Sequence, residues 1–237
     1  SGCNSDPKPA RETPMNAKST NRSKKPFHGV FAALVTPMTA DEEIDGSKLG
    51  ELADHLICQG VHGLVPLGST GEYYALSADE RERVLQITLE AAAGRVPVVP
   101  GTNAGSTRDV VAFSRQAEQL GYAGVMLAAP YYSLPRPEEL FVHFKTVNDA
   151  IGVPIVVYNY PGRTGVDMRP EFIERLAGLR NVRYIKESTG EMPRITELLR
   201  RCGDRLGVFC GCDTIALESI MVGAIGWIGG VANVLPA

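Results

Sequence analysis

Lys186 closes an apolar run, Val182-Arg183-Tyr184-Ile185-Lys186. Glu187-Ser188-Thr189-Gly190 follows at once, a turn that leads into a new helix. A lysine at the carboxyl end of a buried strand can be held dry. Desolvation disfavours its ammonium form and leaves part of it as free amine, and a free amine adds to a ketone to give a Schiff base. Most lysines are solvated, so the case rests on what else reaches the same rim. Ser69 and Thr70 come just after the run Val61 to Leu67. Tyr131 and Tyr132 come after Gly124 to Ala129. Tyr158 ends the run Val153 to Tyr158, and Arg163 stands in the loop beyond it. Each type has a task in imine chemistry. A phenol with hydroxyl partners shuttles protons while a carbinolamine forms and collapses. An arginine grips a carboxylate with two parallel hydrogen bonds. The short loop Gly68-Ser69-Thr70-Gly71 can turn its amides toward a second carboxylate. Blander readings compete: Tyr158 as a core phenol on a carbonyl, Ser69 and Thr70 as loop caps, Arg163 paired with Asp167 at the surface.

The elements that must position these residues repeat along the chain. Apolar runs at 29–35, 61–67, 96–100, 124–129, 153–158, 182–186, 206–210 and 224–228 read as strands. They are continuous in Val, Ile and Leu, as strands buried on both faces are. Between them lie helical patterns: Asp45 to Cys58 closed by Gly60, a capping box at Ser77-Ala78-Asp79-Glu80 opening a helix closed by Gly94, Ser106 to Leu120, Pro137 to Ala150, one from Pro170, one through Leu199, and a short one from Thr214. Eight strands and seven helices alternate at steps of roughly 20 to 35 residues, which predicts parallel βα units. That count predicts an α/β fold, a (β/α)8 (TIM) barrel over residues 27–237. The first turn, Val35-Thr36-Pro37-Met38, is not the Gly-rich phosphate loop of a doubly wound sheet. No eighth helix follows the last strand before Ala237. In such a barrel the chemistry sits at the carboxyl ends of the strands, where Lys186, Tyr158, Ser69, Thr70, Arg163 and the two tyrosines fall.

Bulk properties exclude other classes. The formal net charge is −3, so nothing marks the chain as a nucleic-acid binder. No apolar run reaches membrane-spanning length, and the start lacks the apolar core of a signal peptide. Residues 1–26 are polar and carry an excess of Lys and Arg, which predicts a disordered basic arm. The five cysteines are odd in number and irregular in spacing. They predict free thiols in a reducing cytoplasm rather than a disulfide framework. Cys210-Gly211-Cys212 lacks further ligands at metal-site spacing, so neither a metal nor another cofactor is expected.

The stretches Gly68-Ser69-Thr70-Gly71-Glu72, Tyr158-Asn159-Tyr160-Pro161-Gly162-Arg163-Thr164-Gly165 and Ile185-Lys186-Glu187-Ser188-Thr189-Gly190 resemble the dihydrodipicolinate synthase and N-acetylneuraminate lyase family of Schiff-base enzymes. The resemblance runs from Phe27 to the end. It implies that Lys186 forms the imine and that Tyr158 relays protons there. Ser69 takes the hydroxyl position of the relay, and Tyr132 completes it across a subunit contact. Thr70 and its loop amides clamp the keto-acid carboxylate, and Ile228 presents a backbone carbonyl to the site. Arg163 favours the synthase branch, in which that arginine meets the carboxylate of aspartate semialdehyde. The family implies a homotetramer, a dimer of dimers, and helices after the barrel that are not in this sequence. Ser69 stands where synthases usually have threonine. The places of a lysine-inhibition site hold Ala78, Arg81, Gly105 and a bulky Tyr74, which argues against lysine feedback and against a dedicated role in lysine synthesis. The resulting expectation is a lyase or synthase acting on pyruvate or a related 2-oxo acid with a second carboxylated substrate. Two alternatives stand beside it: a catabolic relative acting on 2-keto-3-deoxy sugar acids or hydroxylated pyrroline carboxylates, and a non-catalytic barrel that binds a keto acid.

Overall fold

The computed structural model describes residues 27–236; the basic arm expected over residues 1–26 lies outside the described residues. Seven strands alternate with helices: β1 Gly29–Ala33, α1 Gly46–Cys58, β2 Gly63–Val65, α2 Ala78–Ala92, α3 Thr107–Gln119, β3 Val125–Ala128, α4 Pro137–Ala150, β4 Ile155–Asn159, α5 Pro161–Thr164, α6 Pro170–Leu176, β5 Val182–Glu187, α7 Met192–Cys202, β6 Gly207–Cys210, α8 Ala216–Met221 and β7 Gly226–Gly229. The strands pair in parallel in the order β2-β1-β7-β6-β5-β4-β3.

The remaining run, residues 96–100, forms no regular strand, and the reason is in its sequence. Pro97 and Pro100 have no N–H to give to a ladder. What remains is a set of single bridges, Leu64 to Val98 and Gly101 to Met126. Leu64 N donates to the Pro97 carbonyl at 3.1 Å, Val99 N to Leu64 O at 2.9 Å, and Met126 N to the Pro100 carbonyl at 2.8 Å. The prolines serve as acceptors only, and the segment still closes the ring between β2 and β3.

Strand alternation sends one set of side chains outward and the other into the ring. Ala32, Leu64, Leu127, Val157, Ile185 and Val208 pack under the helices. Phe31, Val65, Met126, Val156, Tyr184, Phe209 and Ile228 fill the interior, so the barrel is a packed core, not a pore. Phe209 meets Phe31 edge-on at 5.3 Å between ring centroids and Tyr184 at 6.0 Å. Phe209→Ala removes the ring that joins these two; it is expected to cost about 3–5 kcal/mol in urea unfolding.

The helix signals hold in detail. Ser77 Oγ accepts from Glu80 N while the Glu80 carboxylate accepts from Ser77 N, a complete capping box. Asp45 and Ser106 cap α1 and α3. Two features were not foreseen. The loop holding Arg163 is a single helical turn, α5, started by Pro161 and closed by Gly165 at φ 71°, and the helix expected from Thr214 is a 3₁₀ turn, Asp213–Ile215, running into α8. After β7 the described residues contain a 3₁₀ turn, Val231–Asn233, and no further helix. Among the described residues no helix is long and apolar enough to cross a membrane.

Candidate active site

β4 and β5 are the pair that sets the site. Their register places Tyr158 opposite Lys186 and, one step on, Asn159 opposite Glu187. The second pair locks the first. Glu187, buried, accepts hydrogen bonds from Asn159 Nδ2 at 2.9 Å and from Thr189 N at 2.8 Å. Asn159 Oδ1 in turn accepts from Met168 N at 3.1 Å. Burial pushes the Glu187 carboxyl up, and these donors work against the push. Alternation then turns Lys186 and Tyr158 inward, above the apolar fill. Lys186 Nζ lies 4.3 Å from the centre of the Tyr158 ring.

Lys186 is only 6% exposed. Burial lowers its amine to about 8, while Asp213 and Cys210 oppose the shift only partly. At neutral pH roughly one such amine in ten is free, against roughly one in three thousand for an ordinary lysine. Gly211 makes the room. A Cβ there would come 1.9 Å from Ser188 Oγ and 2.8 Å from Lys186 Cγ, and nothing but glycine fits. The pH consequence has a definite sign. Imine formation is expected to rise with pH through about 8, as the ammonium form empties. Stability is expected to rise from there toward the ordinary lysine range, because the unfolded chain binds a proton that the folded chain has already released. Rapid-reaction trapping and denaturation across pH 7 to 10 would read both.

Tyr158 is buried, and burial raises its phenol to about 12; the hydroxyls of Ser69 and, more weakly, Ser188 favour the ionised form. Ser188 Oγ is itself buried with no hydrogen-bond partner, so it acts on the phenol by proximity rather than through a formed bond. Ser69 and Thr70 sit on a doubled turn after β2, in which Gly71 N donates to Gly68 O and Glu72 N to Ser69 O. Leu67 and Glu72 flank it at φ 57° and 54°, strained values for side-chain-bearing residues. Among the described residues the Ser69 and Thr70 amides make no hydrogen bond, so two N–H donors remain free beside the cavity.

These parts enclose one cavity of about 290 Å³, lined by Ser69, Thr70, Tyr158, Tyr160, Arg163, Lys186, Ser188, Cys212, Asp213 and Ile228 among others. Six of the seven residues given a role by the family resemblance therefore meet there. Arg163 is exposed, and the surface pairing with Asp167 does not occur: Asp167 is bound by Arg194 at 2.6 and 3.0 Å. The seventh, Tyr132, is not among the lining residues. It is 97% exposed and holds φ at 73° on the rim. Sequence reasoning missed Ser188, although it stands two residues beyond Lys186 at the same strand end. It also missed Asn103, which sits on the irregular segment where no strand rhythm marks a rim position. No group of three or more His, Cys, Asp or Glu that could hold a metal stands together among the described residues.

Comparison with known proteins settles the lineage. The sequence model of the dihydrodipicolinate synthetase family matches residues 26–237. The chain belongs to that family. It is 42% identical over 210 residues to 4-hydroxy-tetrahydrodipicolinate synthase of Pelobacter propionicus, covering 89% of this chain and 72% of that one. It is 44% identical over 214 residues to the enzyme of the same name from Halorhodospira halophila, covering 89% and 71%. Among solved structures it resembles the chloride-inhibited dihydrodipicolinate synthase of Acinetobacter baumannii, determined with pyruvate, at a TM-score of 0.87 and 36% identity over 90% of this chain and 72% of that one. It also resembles a prophage protein of the family from E. coli K12, likewise with pyruvate, at 0.86 and 31% over 89% and 72%. The α/β barrel and the Schiff-base lyase class expected from the sequence are those of the family.

Proposed function

We propose that the protein condenses pyruvate with aspartate semialdehyde through an imine on Lys186. The observation that carries this reading is the buried amine lowered to about 8 and set against the Tyr158 ring at 4.3 Å. The free amine adds to the pyruvate carbonyl. Tyr158, still protonated because burial holds it near 12, supplies the proton with which the carbinolamine hydroxyl leaves as water. Ser69 links that phenol to the rest of the relay. Thr70 and the free amides of its loop take the pyruvate carboxylate, and the Ile228 carbonyl faces the bound keto acid. Loss of a methyl proton gives the enamine. Its carbon attacks the aldehyde, whose carboxylate is held by Arg163. The amino group of the second substrate then displaces Lys186 by transimination, closing the ring and regenerating the free amine.

Tyr132 enters this reading from another copy of the chain. A fully exposed tyrosine at positive φ, with Leu134 exposed two residues on and an exposed Tyr74 beside Tyr73, whose ring lies 6.3 Å from that of Tyr131, suits a rim that a second copy covers. A homo-oligomer in which each phenol completes the relay of its neighbour follows. Mixing Tyr132→Phe chains with Lys186→Met chains should restore roughly a quarter of wild-type turnover, since half the dimers are mixed and each has one complete site. No restoration would contradict the shared relay. None of the four described cysteines is in a disulfide, which supports a reducing cytoplasm as the setting.

The test of substrate is direct. Pyruvate should be consumed with aspartate semialdehyde and not released from 2-keto-3-deoxy sugar acids. Release from the sugar acids without condensation would favour the catabolic alternative, and neither activity would favour a binding barrel.

A further inference from the structure

A small chamber of about 30 Å³ opens beside the active cavity. The two share Ser69, Tyr158, Tyr160 and Arg163, but Lys186 lines only the larger one. Asn103 forms part of the chamber wall and is 4% exposed. Its amide orientation is fixed by chemistry. Oδ1 accepts from Ala128 N at 2.7 Å, and a backbone N–H can face only an acceptor. Nδ2 is therefore the free end, and it is buried with no hydrogen-bond partner. An orphaned buried donor costs on the order of 1–3 kcal/mol unless something arrives to accept from it.

The charges around the chamber say what should arrive. Arg163 lines it, and no acidic residue does. Behind Asn103, the buried Arg81 donates from Nη2 to the Asn103 carbonyl at 2.9 Å, and its guanidinium lies between the Phe113 and Tyr73 rings at 4.0 and 5.5 Å. Among the described residues Arg81 has no carboxylate partner. Two uncompensated guanidinium groups and a free amide favour an anionic oxygen over an ammonium or an apolar group. The volume suits one oxygen atom rather than a whole carboxylate. Because Lys186 is absent from its walls, that oxygen belongs to the second substrate and not to pyruvate.

We propose that the Asn103 side-chain amide is a second donor to the carboxylate of the aldehyde acceptor, holding one of its oxygens in the side chamber while Arg163 holds it from the shared wall. The proposal rests on the Schiff-base reading above and adds a specificity-determining residue to it.

The test uses Asn103→Ala and Asn103→Asp in the whole chain. The aspartate variant keeps the acceptor for Ala128 N but replaces the donor with a negative charge. KM for aspartate semialdehyde should rise about 10- to 100-fold in Asn103→Ala and further in Asn103→Asp. KM for pyruvate and the yield of borohydride-trapped pyruvate on Lys186 should stay unchanged. The trapping also reports folding, so if Asn103→Ala loses it, Asn103→Asp decides. An Asn103→Asp KM for the semialdehyde within twofold of wild type would overturn the proposal. So would an equal rise for pyruvate, or an equal loss with an uncharged aldehyde, which would assign the chamber to water or a hydroxyl. If the wild-type chain traps no pyruvate, the Schiff-base reading fails first and this proposal falls with it.

Discussion

Lys186→Met is expected to lower turnover by at least about 10⁴-fold, the scale of losing a covalent nucleophile, and to make the chain more stable. The two effects have one cause. The wild-type amine is buried, and desolvation is the largest influence on it, with Asp213 and Cys210 opposing it only in part. Keeping an ammonium there costs folding energy that a methionine of similar length does not. The gain should be on the order of 2 kcal/mol near neutral pH and shrink toward the ordinary lysine range, where both states are neutral. Urea unfolding of the two proteins at pH 7 and pH 10 reads it. A loss of activity accompanied by a loss of stability would mean that the lysine is a packing residue.

Tyr158→Phe is expected to lower kcat by about 10²- to 10³-fold, within the range of removing a positioned proton donor. The ring remains, so the stacking on Nζ at 4.3 Å remains with it. KM for pyruvate should change little, because the phenol is assigned to proton transfer and not to the carboxylate. Stability should change by less than about 1 kcal/mol. Because burial holds the phenol near 12, the wild-type profile should show no loss of a phenol proton below that range. A full-rate phenylalanine variant would place the proton donor elsewhere in the cavity, whose other hydroxyls are those of Ser69, Thr70, Tyr160 and Ser188.

Most of the ring was legible in the sequence because strands buried on both faces write their apolar runs without interruption. The run at 96–100 shows where that signal misleads. Its apolar side chains are those of a strand, and Val98 and Val99 are buried, but the prolines reduce its pairing to single bridges. The site was legible where chemistry and strand ends coincide. Lys186, Tyr158 and Ser69 sit on or just past strand ends, so counting placed them on one rim, and the family resemblance added Ile228. Arg163 was found as a loop residue, but not the helical turn that positions it, since Pro161 to Gly165 is too short to show a period. Asn103 was invisible for a different reason. Nothing in its neighbours marks it, and its meaning comes from one bond, Ala128 N to Oδ1, between residues 25 apart in sequence. Tyr132 marks a further limit. A single chain shows an exposed, strained tyrosine, and its partner, if the shared relay holds, belongs to another copy.

The most direct test of the central claim is borohydride reduction in the presence of pyruvate, followed by peptide mass spectrometry. The account predicts one added three-carbon acid unit per chain, on the peptide containing Lys186, with a yield that rises with pH through about 8. An unmodified Lys186 peptide, or an adduct spread over surface lysines, would contradict it.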